Sequence, residues 1–272
     1  MRISELERRF VIRVSLPLVL LISFVSLTGI YSDNFYVNES GNWRVQCLGQ
    51  DIIDLVLIVP FLLISALLTF LNRRAGLALW CGTLLYLIYT FVIYSFSVHF
   101  TYLFVFYCFI LGTCFYAVLF IIYKQTRERI HWKLDSITLK RVISVYFVLI
   151  ALFFYVLWLK DIGNAVLNHS TPDSLVETDL ITNPVHALDI SIILPGMLIV
   201  GLLLYKENPL GVMLTPIVLT FMILMDITIG ILAFMLNGDS RVHSFVPIAL
   251  FIMGALSFFL LVGYFRKLTI ST

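Results

Sequence analysis

The segment QDIIDLVLIVPFLLISALLTFLNRRAG, Gln50 to Gly76, decides how the chain is read, because its plan returns further on as HALDISIILPGMLIVGLLLYKENPLG, His186 to Gly211. Asp189 stands where the first copy has Asp54, Pro195 where it has Pro60, and Gly211 where it has Gly76, each pair 135 residues apart. Over Asp54–Leu79 against Asp189–Leu214, nine of twenty-six pairs are identical. Most are Leu or Ile, which any two membrane helices share. The Asp, Pro and Gly matches carry the information, and they point to an internal duplication.

The whole chain fits that reading. It has 272 residues, 61% apolar and only 12% charged, with a mean hydropathy of +1.02. Such a composition belongs to a membrane-embedded chain, in which spans are helices or a closed barrel. Apolar runs of about 20 residues select helices. Net charge is +2, so nothing suggests a nucleic-acid partner. The four cysteines, Cys47, Cys81, Cys108 and Cys114, form no C-x-x-C motif, and no cofactor-binding signature occurs.

Eight spans are expected, at about 14–31, 51–71, 76–97, 101–123, 142–159, 185–205, 210–236 and 245–265. With eight, the basic segments all fall on one side: Arg2 to Arg13, Arg73 and Arg74, the central loop with its charges from Lys124 to Arg141, Lys206, and Arg266 with Lys267. The positive-inside rule then makes that side, with both termini, cytoplasmic, in the cell membrane. The first run also has the outline of a secretory signal, though it is long for one and lacks a small-residue cleavage site. The expected fold is an all-α polytopic membrane helix bundle: eight transmembrane helices as two parallel four-helix repeats, residues 1–128 and 142–272, joined by a basic linker, 129–141. An even number of spans per repeat makes the pseudo-twofold axis run along the membrane normal. His99 and His243 are a looser parallel, each between the last two spans of its half. Trp43, Trp158 and Tyr31 at the outer level, and Trp80, Trp132 and Tyr123 at the inner, read as interfacial anchors.

The candidate binding residues are acids near span ends. Asp51 and Asp54 are three apart and share a helical face, as do His186 and Asp189 in the second copy. Facing each other across the axis, they would form an outward acidic vestibule for a small polar solute or cation. The alternative is helix-terminal capping, strongest for Asp51. Asp226 lies near mid-membrane, where a carboxylate costs roughly 2.5–3.5 kcal/mol on insertion scales, unless Thr220 and Thr228 satisfy it. Its counterpart in the first half is Phe91, and one acid in one half suits proton coupling. Pro60 and Pro195 should leave the carbonyls of Val56 and Ser191 unpaired, as helix breaks near each acid. Tyr86, Tyr89, Thr90, Tyr94 and Ser97 give the third span a hydroxyl stripe, suited to a polar path or to interhelical hydrogen bonds.

The GQD-x2-DL and P-x-LL elements of the first copy, with LD-x5-P and the N-P-x-G turn of the second, resemble multi-pass membrane proteins of prokaryotes. The resemblance covers about 51–79 and 183–214, and implies a fold without an activity. Three functions are open on the residues. The first is a small-solute or ion carrier in the lipid bilayer, using Asp51, Asp54, His186, Asp189 and Asp226. The second is a metal-dependent intramembrane lipid hydrolase or transferase, with His99, His186, Asp51 and Asp189 as ligands. The third is a non-catalytic scaffold or sensor. Assembly into a homo-oligomer is compatible with each.

Overall fold

The structure is a computed structural model that describes residues 3–33, 35–128, 130–237 and 245–271. His243, the suggested partner of His99, lies outside the described residues. Eight helical rods are long and apolar enough to cross a membrane. The first is α1 (Glu5–Tyr31). The second combines α2 (Gly41–Ile53), a π-helical turn (Asp54–Ile58) and α3 (Val59–Phe70). Next come α4 (Arg74–Ser97) and α5 (Phe104–Arg127), strand β1 (His131–Leu134) and α6 (Ile137–Leu167). After the short α7 (Asp173–Thr178), the sixth rod combines α8 (Pro184–Leu188), a second π turn (Asp189–Ile193) and α9 (Leu194–Tyr205). The chain closes with α10 (Pro209–Asn237), α11 (Phe245–Lys267) and β2 (Leu268–Ser271).

Several helices are longer than hydropathy suggests, because capping residues start them early. Ser4 and Glu7 form a capping box, so α1 begins at Glu5 and not near residue 14. The Ser40 hydroxyl accepts the Trp43 amide, so the polar run GNWRVQCLGQ is already helical. Asp51 therefore sits inside a helix, and the capping role considered for it does not apply. The expected loop at 160–184 starts as the end of α6 and then carries α7. Asn183 caps the sixth rod as its sequence suggests, accepting from the amides of Val185 (3.0 Å) and His186 (3.2 Å), with Pro184 in the first turn.

The two π turns have a common cause. The Val59 amide bonds the Asp54 carbonyl, and the Leu194 amide bonds that of Asp189, each five residues back. The next residue in each rod is a proline without an N–H, so shifting the register sacrifices no further donor. Each rod then ends in a residue with positive φ, Asn72 (67°) and Glu207 (58°). The amides after them, of Arg73 and Asn208, reach back to the carbonyls of Leu68 and Leu203, closing a Schellman-type turn. At Gly76 and Gly211 a Cβ would lie 2.5 Å from backbone atoms of the preceding rod. Gly76→Ala and Gly211→Ala are each expected to lower stability by about 1–3 kcal/mol, the usual cost of overpacking, in thermal unfolding of the purified protein.

The rods pack as α1 on α2 and α3, α3 on α4, α4 on α5, and α5 back on α1. Likewise α6 packs on α9, α9 on α10, α10 on α11, and α11 on α6. The two sets join where α4 lies against α10, with α2 also touching α10 and α8 touching α4. Helix α4 is therefore the most buried of the spans, and its Trp80, Tyr86 and Phe91 are fully buried. One end of the bundle gathers the basic segments. Lys124 donates to Ser4, the Ile3 amide donates to Asn72, Lys140 pairs with Glu207 at 2.9 Å, and β1 pairs antiparallel with β2. The opposite end holds Ser40 on the Thr178 carbonyl (2.7 Å) and the His99 ring on Glu39 (3.0 Å). Tyr31 and Tyr123 face outward, as anchors do. Trp43, Trp80 and Trp132 do not: all three are buried and donate, to the Ser97 carbonyl, Ser15 and Gln125.

Candidate functional site

A cavity of about 430 Å³ lies between the two sets of helices, in the half of the bundle away from the basic face. Its wall is mostly apolar, with α6, α9, α10 and α11 the main contributors and methionines Met197, Met222 and Met225 among them. Polar groups enter at a few points: Gln46 and Gln50 from α2, Tyr89 and Thr90 from α4, His186 and Asp189 from the sixth rod, and Asp226 from α10. Glu177 of α7 borders it at the outer end.

Asp189 opens the second π turn. One extra residue in the turn rotates the remainder of the rod by roughly 100° relative to a continuous α-helix. The Asp189 carboxylate accepts from the Tyr89 hydroxyl (3.1 Å) and from the Trp158 indole (2.9 Å). Trp158 also lies beside the His186 ring, centroids 4.5 Å apart. It is thus part of the site and not a bilayer anchor. Tyr155 donates to the Ile190 carbonyl (3.2 Å), one of those freed by the π register. Both oxygens of Asp189 are thus held in place, as a preorganised site requires.

Asp226 is different. It is 6% exposed, and its Oδ2 is buried with no hydrogen-bond partner. The expected local satisfaction fails, because both threonines are engaged elsewhere. Thr220 donates to the Pro216 carbonyl (2.7 Å), and Thr228 bonds the Tyr86 hydroxyl (3.0 Å). Gly254 of α11 stands against the Asp226 side chain, where its missing Cβ would come 3.2 Å from the Asp226 Cβ.

Asp51 and Asp54 do not reach the cavity. Asp54 is 1% exposed and accepts from Gln50 (2.9 Å), whose amide also meets the Tyr86 hydroxyl (2.8 Å). Asp51 accepts from Tyr36 (2.7 Å) and Tyr94 (3.0 Å). Tyr36 lies outside the spans, and burial, then the neighbouring Asp51, pushes its hydroxyl well above the ordinary phenol range. It remains a donor at any working pH. The expected vestibule of four groups is therefore divided: His186 and Asp189 border the cavity, while Asp51 and Asp54 brace its wall. Of the hydroxyl stripe, Tyr89, Thr90 and Tyr94 line the cavity, Tyr94 while donating to Asp51; Tyr86 is buried, accepting from Gln50 and bonded to Thr228, and Ser97 offers its carbonyl to Trp43. Neither Pro60 nor Pro195 borders the cavity, and Val56 faces outward at 73% exposure, so the prolines act through the π register.

Among the described residues, no three His, Cys, Asp or Glu side chains gather closely enough to hold a metal ion. His99 is taken by Glu39, and Asp51 and Asp189 by their aromatic donors. The set His99, His186, Asp51 and Asp189 does not converge. Sequence reading also missed Trp158 and Gln50, though the GQD run placed Gln50 beside the first acid.

Eight apolar spans make this a multi-pass integral membrane protein. No protein-family model matches the chain, and comparisons with curated proteins and with solved structures returned no match.

Proposed function

We propose that the protein is a carrier for a small organic solute, bound in the cavity between two halves that arose by duplication. The carrying observation is that cavity, about 430 Å³, bordered by His186, Asp189 and Asp226 and floored toward the basic face by contact of the two central helices. At the floor, a Cβ on Gly82 would come 2.8 Å from the Ile217 carbonyl and 2.5 Å from Thr220. Gly82 and Ile217 correspond under the 135-residue offset. A residue meets its own counterpart only on a twofold axis. The π turns, the positive-φ pair Asn72 and Glu207, and the neighbour pairs of the two helix sets obey the same offset. The gathered basic segments favour a cytoplasmic basic face, and hence a cavity open to the other side of the cell membrane. Rocking of the halves about the Gly82–Ile217 contact would exchange access, as in other repeat-built carriers.

The wall favours an organic solute over a bare ion, since apolar side chains outnumber the polar groups. Protein in liposomes should take up a subset of small organic solutes under a pH gradient or membrane potential. Asp189→Asn, which disturbs the Tyr89 and Trp158 donors, should slow that uptake by about tenfold. Absence of flux for every solute under every gradient would reject the carrier reading.

A further inference from the structure

Three features of the cavity specify its occupant more narrowly, on the reading that it is a solute site. The first is charge. Asp189, Asp226 and Glu177 border it, and among the described residues no Lys or Arg does. Asp189 has both oxygens occupied, whereas Asp226 keeps one buried oxygen without a partner. A buried carboxylate with an unmet acceptor, at the depth of Asp226, is stabilised most by a cation brought to it.

The second feature is the wall. Around Asp226 it is built from Phe221, Met222, Met225 and Ile229, faced by Phe154 of α6 and Leu250 of α11. Such a surface would strip a hydrated metal ion of water while offering few oxygens in return. An organic cation carries its own apolar cover. Polarizable methionines and aromatic rings accept such shapes readily, and rings attract the charge.

The third feature is the side of entry. Helices α6 and α11 meet near the basic face, where Leu139 lies beside Gly263 and the Tyr146 hydroxyl bonds Ser257 (2.8 Å) and the Met253 carbonyl (3.2 Å). Further out they border the cavity instead, through Ile150, Phe154 and Leu157 on one and Leu250 and Val246 on the other. Leu157 and Val246 are both exposed on the bundle's flank. The equivalent pair in the other half, α1 and α5, is closed by rings at both levels, Phe10 on Phe120 and Phe24 on Phe106, with centroids 4.4 and 5.2 Å apart.

We propose that the cavity takes a lipophilic monovalent organic cation from the bilayer through the gap between α6 and α11, setting its charge against Asp226 and its apolar body along the α6, α10 and α11 walls. The occupant partitions into lipid first, so the gap presents it with a continuous apolar route. Asp226 then supplies what lipid cannot, a fixed counter-charge.

The test is binding, which stands apart from transport. Purified full-length protein in nanodiscs is titrated with tetraphenylphosphonium, whose charge is fixed at all pH, and in parallel with neutral tetraphenylsilane of similar shape. The cation should bind saturably, and the silane should bind at least about tenfold more weakly. Asp226→Asn should weaken cation binding by about tenfold or more while Asp226→Glu largely retains it, with both variants melting near the parent. Leu157→Trp with Val246→Trp, which narrows the gap, should slow association of the cation, and an unchanged association rate would overturn the lateral route. No saturable binding of the cation overturns the proposal. So does equal binding of the silane, or undiminished binding by a folded Asp226→Asn variant. Cation binding without flux in liposomes would sustain this inference and remove the carrier reading.

Discussion

Replacing Gly29 by alanine is expected to lower stability by about 3 kcal/mol, a large fraction of what a helical bundle has to lose. The added Cβ would lie 1.9 Å from Asp51 Oδ2 and 2.9 Å from the Tyr36 hydroxyl. Neither is a loose side-chain end that can swing away. Asp51 is fixed through both oxygens by Tyr36 and Tyr94, and Tyr94 also reaches the Cys47 carbonyl at 3.2 Å. Relief requires α1 to move off α2, or the carboxylate to abandon its donors inside a sealed core. The first costs packing, and the second leaves buried polar groups unmatched. Asp51→Ala removes the obstacle, so the double variant Gly29→Ala/Asp51→Ala should be more stable than Gly29→Ala alone. Thermal unfolding of the four proteins in detergent gives the cycle. A Gly29→Ala variant within about 0.5 kcal/mol of the parent, or strict additivity in the cycle, would show that Asp51 is free to yield.

The rigidity of Asp51 also explains why its role is hard to read from sequence. The polar run before it, GNWRVQCLGQ, has little hydropathy, so a reading based on apolar length starts the span at Asp51 and makes the acid terminal. Helicity here comes from the Ser40 cap and from burial of Trp43 and Cys47 against Tyr36, which hydropathy does not see. The offset of Asp54, Pro60 and Gly76 is legible, because each is a type a membrane helix admits only for cause. Their consequence, a π turn, is not: it depends on which carbonyl a single amide selects. Asp226 is legible as an expense. Its lack of a partner is not, because two threonines of suitable spacing exist and only the packing of α4 against α10 diverts Thr228 to Tyr86. Trp158 misleads for a similar reason. Its level in the membrane suits an anchor, and its turn toward Asp189 is a property of how α6 meets the π turn.

The basic face supplies the second large effect. Glu7 is 0% exposed, and its carboxylate accepts from the Ser4 amide (3.0 Å), the Ser4 hydroxyl (2.7 Å) and the Gln125 side-chain amide. Gln125 in turn accepts from Arg74 (3.2 Å) and from the Trp132 indole (3.3 Å). One buried acid thereby joins α1 to α4, to α5 and to β1, whose Trp132 pairs with Ile270 near the C-terminus. Glu7→Leu keeps the volume and deletes every acceptor. It should cost about 3–5 kcal/mol, since the remaining donors are left without the charge that organised them. Glu7→Gln keeps an acceptor and the shape, and should cost only about 1–2 kcal/mol. A second variant separates the network from simple burial: Gln125→Leu removes the relay, so Glu7→Leu should cost at least about 1 kcal/mol less in that background than in the parent. Chemical unfolding of the four proteins measures the coupling, and protease cleavage between α5 and α6 gives an independent reading of it. If Glu7→Leu melts with the parent, or the two effects simply add, then packing of α1 alone holds this face together, and the chain of donors from Ser4 to Trp132 contributes nothing to joining its three helices.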